Sequence, residues 1–262
     1  MSAQGLYASA LAVAAAIGLS TGAPAADMPV KGPGVVPIYN WTGLYLGLNG
    51  GYGWSSEPIA LTASPAAVQM TFLEVPGVTS IAGDPKGYLG GAQLGYNVQK
   101  GRIVYGVEAD IDHAHISSSQ DINRVVGVVG RTYHGEQKLD WLGTVRGRLG
   151  YTPVDRLLVY ATGGLAVGHA SVNFSLTTDA GCTIGTCLTG PSTSKTLWGW
   201  ALGGGLEYAL APHWSVKGEY LYYDLGDIDT TVHDPAIPSW AMTGTAHMRG
   251  NVARAGLNYK FN

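Results

Sequence analysis

The sequence predicts an all-β protein, an eight-stranded antiparallel up-and-down transmembrane β-barrel with short periplasmic turns and four long external loops. Three observations carry this prediction. Eight segments alternate apolar or aromatic residues with polar or small ones, as strands with two different faces do. The connections between the segments alternate between short and long, which is typical of a barrel whose ends lie on one side of a membrane. The polar faces carry acids and bases in similar numbers.

The clearest segment is residues 138–151. Alternate side chains of a strand point to opposite sides of the sheet, and the two faces of this segment differ in polarity. An apolar, aromatic-ended face opposite a charged face is typical of a strand with hydrocarbon outside and an enclosed polar interior. The apolar face holds Leu139, Trp141, Val145, Leu149 and Tyr151, and the other face holds Lys138, Asp140, Thr144, Arg146 and Arg148, with Leu142 as the exception.

The remaining strands follow from the same period of two. The fifth strand is the weakest in phase. Tyr160 favours even positions outward, but the apolar residues at odd positions would then face inward, so its register stays open. These residues are Leu157, Val159 and Val167. The predicted strands are 42–54, 87–98, 102–113, 138–151, 156–174, 196–208, 214–224 and 248–261, and the predicted long loops are 57–86, 114–137, 175–195 and 225–247.

Composition limits the classes of function. Only 13% of the 262 residues are charged, against about a quarter in an ordinary soluble domain. The net charge of −3 gives no basic field, so nucleic acid is not an expected partner. Past residue 26 no apolar run approaches the ~18 residues of a spanning helix.

The first 26 residues predict a secretory signal that is removed. Residues 6–19 are an Ala-rich apolar run, and small residues follow as in a cleavage site. No Lys or Arg precedes the run, and the alternative is an N-terminal membrane anchor. Residues 27–40 contain three prolines and predict an extended periplasmic lead-in, which leaves 41–262 as the barrel.

The only two cysteines, Cys182 and Cys187, lie in a Thr- and Gly-rich segment. In an exported protein this spacing favours a disulfide that staples a loop. Two ligands cannot complete a zinc site, so metal binding here would need other groups.

The inward faces predict a network of charges inside the barrel. An eight-stranded barrel is just filled by its side chains, and a buried charge without a partner costs several kcal/mol. We therefore expect Glu108 or Asp110 to pair with Arg146 or Arg148 on the neighbouring strand. The alternative is a soluble barrel with these charges in water. The predicted inward acids are Glu108, Asp110, Asp112, Asp140, Glu207 and Glu219, and the bases are Lys138, Arg146, Arg148, Lys217 and Arg254.

Other chemistry is sparse. Past residue 26 no G-x-S-x-G or zinc-enzyme motif occurs, so neither an enzyme nor a bound cofactor is expected. His113 and His115 lie two residues apart, with His134 across the following loop. A haemin or metal site is one interpretation, and solvated loop histidines are the other.

Three stretches carry a resemblance to a known family: residues 40–47 (NWTGLYLG), 143–151 (GTVRGRLGY) and 160–166 (YATGGLA). They resemble the alphaproteobacterial small outer-membrane β-barrel family, whose members are often called outer membrane immunogenic proteins. The similarity covers essentially all of the chain after the signal. The chain's end, with Arg254, Gly256, Tyr259 and Phe261, also resembles the signal that the barrel-assembly machinery reads.

The resemblance implies a non-enzymatic protein of the cell outer membrane that contributes to envelope integrity and surface interactions. Its implied partners are outer-membrane lipid and lipopolysaccharide, the barrel-assembly machinery during biogenesis, and host or other cell-surface partners. The alternatives are a narrow porin for small solutes and a surface barrel that binds haemin or another ligand, since some members are described in these terms. Eight strands leave little aqueous lumen, so at most a weak conductance is expected.

Overall fold

Eight antiparallel strands close into a ring, which confirms the predicted fold class. The ring closes between the first and last strands, where Tyr45 lies opposite Lys260. In chain order the strands are β1 (Gly43–Trp54), β2 (Ile59–Ser64), β3 (Ser80–Ile81), β4 (Lys86–Lys100), β5 (Ile103–Val126), β6 (Val129–Val154), β7 (Leu157–Thr178), β8 (Thr193–Ala209), β9 (Trp214–His233) and β10 (Ala241–Lys260), and β2 and β3 are additional to the ring.

The structure is a computed structural model, and it describes residues 39–74, 76–179, 181 and 187–261. The predicted signal, residues 1–26, lies outside the described residues, as do Cys182, Asn262 and nearly all of the predicted lead-in. The described part of the chain contains no helix that is long and apolar enough to cross a membrane.

The ring's connections differ at its two ends. At one end they are short, as the sequence predicts: two residues (101–102), two residues (155–156) and four residues (210–213). At the other end the prediction of loop structure is wrong for two segments, which consist mostly of strand. Residues 114–126 and 129–137 continue β5 and β6 to a two-residue connection, and all but residues 234–240 of the predicted loop 225–247 belong to β9 and β10.

The first external segment also contains regular structure. β2 pairs with the part of β10 that lies beyond the end of β1, so that Ile59 lies opposite Ala246. β3 adds to the free edge of β2 through Ile81. Between these strands lie a short helix, α1 (Ala66–Val68), and a π-helical turn over Gln69–Glu74. The external part of the barrel is therefore a folded extension of the ring.

Apolar side chains fill the external half of the interior. The small cavity between Ser55, Ile116 and Tyr223 has a volume of about 20 Å³, which is room for roughly one water molecule. The side chains around this cavity are closely packed, as in a protein core. The buried residues of this external core include Ile59, Phe72, Leu73, Ile116, Tyr133, Phe174, Leu176, Ile228, Val232 and Met242.

A second, smaller apolar cluster lies at the end with the short turns. Trp41 and Tyr39 pack there against Val104, Leu158 and Ala209. Their rings meet edge to face, with 4.8 Å between centroids. Burial, together with the nearby Glu207 carboxylate, raises the pKa of Tyr39 to about 12, so its hydroxyl stays neutral. Both ends of the barrel interior are thus closed by apolar side chains.

The outer surface of the ring is apolar between two sets of exposed aromatic residues. In β1, Leu44 lies opposite Tyr96 near the end with the short turns, and Tyr52 lies opposite Tyr88 near the external end. Tyr and Trp rings suit the boundary between hydrocarbon and headgroups because they are apolar with one polar end. The exposed aromatics include Tyr96, Tyr105, Tyr151, Tyr208 and Trp214 at one level and Tyr52, Tyr88, Trp198 and Tyr220 at the other, besides Trp200 and Phe261.

Candidate functional site in the barrel interior

Arg146 is the centre of a buried network of charges at the level of the outer apolar band. Its side chain points inward from β6 and is fully buried. Arg146 Nη2 donates to Glu108 Oε1 at 2.8 Å and to Asp110 Oδ2 at 2.7 Å, both on β5. Arg146 Nη1 donates to Glu219 Oε1 at 3.1 Å. The predicted pairing of β5 acids with a β6 arginine is therefore present, and a third carboxylate joins it.

Arg148, two residues further along β6, extends the network toward the short-turn end. Its Nη2 donates to Glu207 Oε2 at 2.7 Å, and its Nη1 donates to the Tyr45 hydroxyl at 2.6 Å. The guanidinium lies over the ring of Tyr160, 4.0 Å from the ring centroid. A planar cation held between carboxylates and an aromatic face is stabilised by both, and the attraction is strongest where water is excluded.

Arg254 and Lys217 complete the cationic side of the network. Arg254 Nη1 donates to Asp112 Oδ2 at 2.7 Å, and its Nε donates to Glu219 Oε2 at 2.8 Å. Lys217 Nζ donates to both oxygens of Glu108 at 2.9 Å. Carboxylates and cations therefore alternate through the cluster, so each buried charge has an opposite charge in contact with it, as a water-excluded interior requires.

Neutral polar side chains add further hydrogen bonds to the carboxylates of the network. Ser215 Oγ and Asn258 Nδ2 both donate to Glu207 Oε1, at 2.6 and 2.8 Å. The Tyr45 hydroxyl donates to Glu108 Oε2 at 2.7 Å. Two further hydrogen bonds bring in the strands not yet represented: Gln93 of β4 donates to Asn258 Oδ1, and Tyr160 of β7 donates to Glu219 Oε1. Every strand of the ring therefore supplies a member of the network. Such a network ties all eight strands together through the interior.

Two of the predicted interior charges lie elsewhere. Lys138 and Asp140 form a partly exposed ion pair at 2.9 Å, away from the buried cluster. The pairing of β6 with β7 is irregular between Leu139 and Trp141, so Asp140 is an extra residue in β6. An extra residue reverses the alternation of side chains. Leu139, which was predicted to face outward, is accordingly buried. Leu142, which was the exception to the predicted pattern, faces inward and is buried like Arg146 and Arg148.

The open register of the fifth strand is resolved with the even positions inward. Tyr160 is buried, and its hydroxyl donates to Glu219 Oε1 at 3.1 Å. Val159 and Leu165 are exposed on the outer face. The sequence favoured an outward-facing Tyr160 because tyrosine is common at membrane boundaries. A buried tyrosine needs a hydrogen-bond partner for its hydroxyl, and the charged interior supplies one.

We expect Tyr160→Phe to lower the free energy of unfolding by about 1–2 kcal/mol, because the buried Glu219 carboxylate loses one hydrogen bond while the ring above Arg148 is kept. The measurement is urea-induced unfolding in lipid vesicles. Tyr208→Phe, which removes the hydroxyl of an exposed outward tyrosine, is the matched control and should leave the midpoint unchanged. Equal effects of the two substitutions would contradict an inward role for the Tyr160 hydroxyl.

The three histidines singled out in the sequence do not form one site. His113 and His115 lie together on the outer face of β5, with 3.0 Å between their Nε2 atoms. His134 lies farther out in the β5–β6 hairpin, where it contacts Asp121 at 2.6 Å. Across the residues that the structure describes, no group of three or more His, Cys, Asp or Glu side chains is placed to hold a metal ion.

The cysteine prediction stays a prediction. Cys187 is buried beside Leu188 and Thr189, which form isolated bridges to β7 and β9. Cys182 lies outside the described residues.

The end of the chain is described through Phe261, whose ring packs edge to face on Tyr259 with 5.1 Å between centroids.

A closed ring of strands with an apolar outer band, boundary aromatics and an ion-paired interior defines a transmembrane β-barrel protein. Comparisons with known proteins agree. The family model described as "Outer membrane protein beta-barrel domain" matches residues 11–261. The chain belongs to this family of outer-membrane β-barrels, in its small alphaproteobacterial branch, and the protein is located in the cell outer membrane.

Named relatives illustrate the similarity. The chain is 35% identical over 255 residues to the "31 kDa outer-membrane immunogenic protein" of Brucella melitensis. The aligned region covers 92% of this chain and 95% of the relative. It is 30% identical to the "22 kDa outer membrane protein" of Rhizobium leguminosarum, over 76% of this chain and 69% of the relative. Among solved structures, Pseudomonas aeruginosa OprG aligns with 13% identity and a TM-score of 0.47, over 86% of this chain and 99% of OprG.

Proposed function

We propose that the protein is a non-enzymatic structural barrel that contributes to the integrity of the outer membrane and takes part in contacts at the cell surface. The observation that carries the proposal is the filled interior. The Arg146 network occupies the middle of the barrel, and apolar clusters close the space above and below it. A protein built in this way offers a stable transmembrane wall and an external extension, and it offers little room for a solute path.

The filled interior disfavours the alternative of a narrow porin. Planar-bilayer recording of the purified protein is expected to give no large, stable conductance steps, because solute passage would require several buried ion pairs to separate. Folding of the same sample is verified by the change in gel migration between unboiled and boiled protein. A general porin reconstituted in parallel serves as the positive control. Reproducible steps from the folded protein would favour the porin function instead.

The contribution to the envelope is tested in cells. A strain lacking the gene is expected to become more sensitive to detergents and to large antibiotics that an intact outer membrane excludes. Re-expression of the wild-type chain should restore resistance. Unchanged sensitivity of the strain, with other barrels at normal abundance, would contradict a role in envelope integrity while leaving the location of the protein unaffected.

The outer surface suggests the partners. The exposed Tyr and Trp residues at both levels suit headgroup contacts, so we propose outer-membrane lipid and lipopolysaccharide as the molecules around the ring. We propose that Gly256, Tyr259 and Phe261, at the end of the last strand and directly after it, are read by the barrel-assembly machinery. The β5–β6 hairpin extends beyond the shorter strands of the ring, and we propose that it is a contact surface for host or other cell-surface partners.

A further inference from the structure

We propose that His113 and His115 form a chelating site for a divalent transition-metal ion with square-planar or octahedral preference, Cu²⁺ above all. The two residues are separated by one position in β5, so their side chains point to the same, outer side of the sheet. Both are exposed, and both lie near the external level of aromatic residues, where Tyr88 is directly opposite His115.

The distances between the two rings match a chelate. Two imidazole nitrogens bound about 2.0–2.1 Å from one metal at a right angle lie about 2.9 Å apart, whereas tetrahedral binding separates them by about 3.3 Å. The observed distance between His113 Nε2 and His115 Nε2 is 3.0 Å. The geometry therefore fits neighbouring positions of a square-planar or octahedral ion better than two corners of a tetrahedron.

The orientation of the rings is closer to a chelate than to a linear hydrogen bond. In a linear N–H···N bond both nitrogens lie on the line between the ring centres, which places the centres about 5.3 Å apart. A right-angle chelate brings the centres to about 4.5 Å, because the two nitrogens then aim at a common point beside that line. The observed distance between the His113 and His115 centroids is 4.5 Å, with ring planes at 89°.

The surroundings leave this common point open. Gly90 lies directly opposite His113 on β4 and presents no side chain, and Trp141 lies opposite it on β6. With two protein nitrogens, the remaining positions around the ion are filled by water. Imidazole suits copper, nickel and zinc, and the affinity of a given site is greatest for Cu²⁺ in the usual order of divalent ions.

The test titrates Cu²⁺ into the folded, tag-free protein in detergent micelles. Binding is followed by electron paramagnetic resonance and by quenching of tryptophan fluorescence. We expect one ion per chain with two nitrogen ligands in the plane, and a loss of affinity of more than tenfold in His113→Ala and in His115→Ala. Zn²⁺ should bind at least tenfold more weakly than Cu²⁺. Tighter binding of Zn²⁺ would overturn the assignment of the ion class.

Two further variants isolate the geometry. His115→Ser combined with Ser117→His keeps the number of histidines on the outer face of β5 but moves them four residues apart, so it should lose the two-nitrogen spectrum. His134→Ala, which removes an exposed histidine elsewhere in the hairpin, should bind Cu²⁺ like the wild type. Each variant is checked for folding by heat-modifiable gel migration. Wild-type affinity in folded His113→Ala, or in the relocated pair, would overturn the proposal.

Discussion

Replacing Arg146 by methionine is expected to destabilise the barrel by about 3–5 kcal/mol, the largest effect of any single substitution considered for this protein. Methionine keeps much of the volume and removes the charge. Glu108, Asp110 and Glu219 then lose a cation that lies within 2.7–3.1 Å of each of them. Since these carboxylates are fully buried, water cannot replace the lost contacts, and the remaining cations, Lys217 and Arg254, offset only part of the cost of their burial.

The measurement is urea-induced unfolding in lipid vesicles, supported by heat-modifiable migration on gels. Arg124→Met is the matched control, because Arg124 lies exposed in the β5–β6 hairpin and donates to the carbonyl of Asn123; we expect its midpoint to equal that of the wild type. Adding Asp110→Asn to Arg146→Met should recover part of the loss, since one carboxylate is removed from a cluster that then holds more acids than cations, although Asp110 keeps its contact with Arg254. An unfolding midpoint for Arg146→Met equal to that of the wild type would refute the importance of the network.

Leu48→Arg is expected to lower the free energy of unfolding by about 2–4 kcal/mol, the range for an arginine near the middle of a membrane barrel's outer face. Leu48 is 69% exposed, and it lies halfway along β1 between Leu44, opposite Tyr96, and Tyr52, opposite Tyr88. Its neighbours on the adjoining strands are Ala92 and Leu257, so the outward arginine would enter an apolar surface.

The control for this prediction is Val128→Arg. Val128 is 97% exposed in the two-residue connection at the tip of the β5–β6 hairpin, which water surrounds, and the substitution should leave stability in vesicles unchanged. In a soluble barrel both substitutions would be equally harmless, because an exposed leucine replaced by arginine costs little in water. A wild-type midpoint for Leu48→Arg would therefore remove the assignment of the outer face to lipid.

Sequence reasoning predicted the interior where each strand keeps an unbroken alternation. Glu108, Asp110 and Asp112 on β5 and Lys217 and Glu219 on β9 alternate with apolar residues, because only one face of each strand touches hydrocarbon. The burial of these five charged side chains inside the barrel follows directly from that alternation. What the alternation could not supply was the choice of partners across the barrel, such as Glu219 with Arg146, since that depends on how strands distant in sequence are brought together by ring closure.

The alternation failed where the strands leave the membrane. Beyond His113 and Trp141 the outer face of β5 and β6 meets water, so polar residues occur on both sides and the period of two is lost although the strands continue. The extra residue at Asp140 also reversed the phase at this point. Tyr160 was ambiguous because tyrosine suits both a lipid boundary and a charged interior, and a sequence does not reveal which partner its hydroxyl finds.

The pairing of β1 with β10 has a consequence for synthesis. Tyr45 meets Lys260 across more than two hundred residues, so the cylinder cannot be sealed before its final strand has been made. Until then two open edges carry unpaired amide and carbonyl groups, which attract other chains. Contacts so remote along the chain also form slowly. During synthesis the two exposed strand edges therefore need protection from other chains until the last strand has been made and pairs with the first.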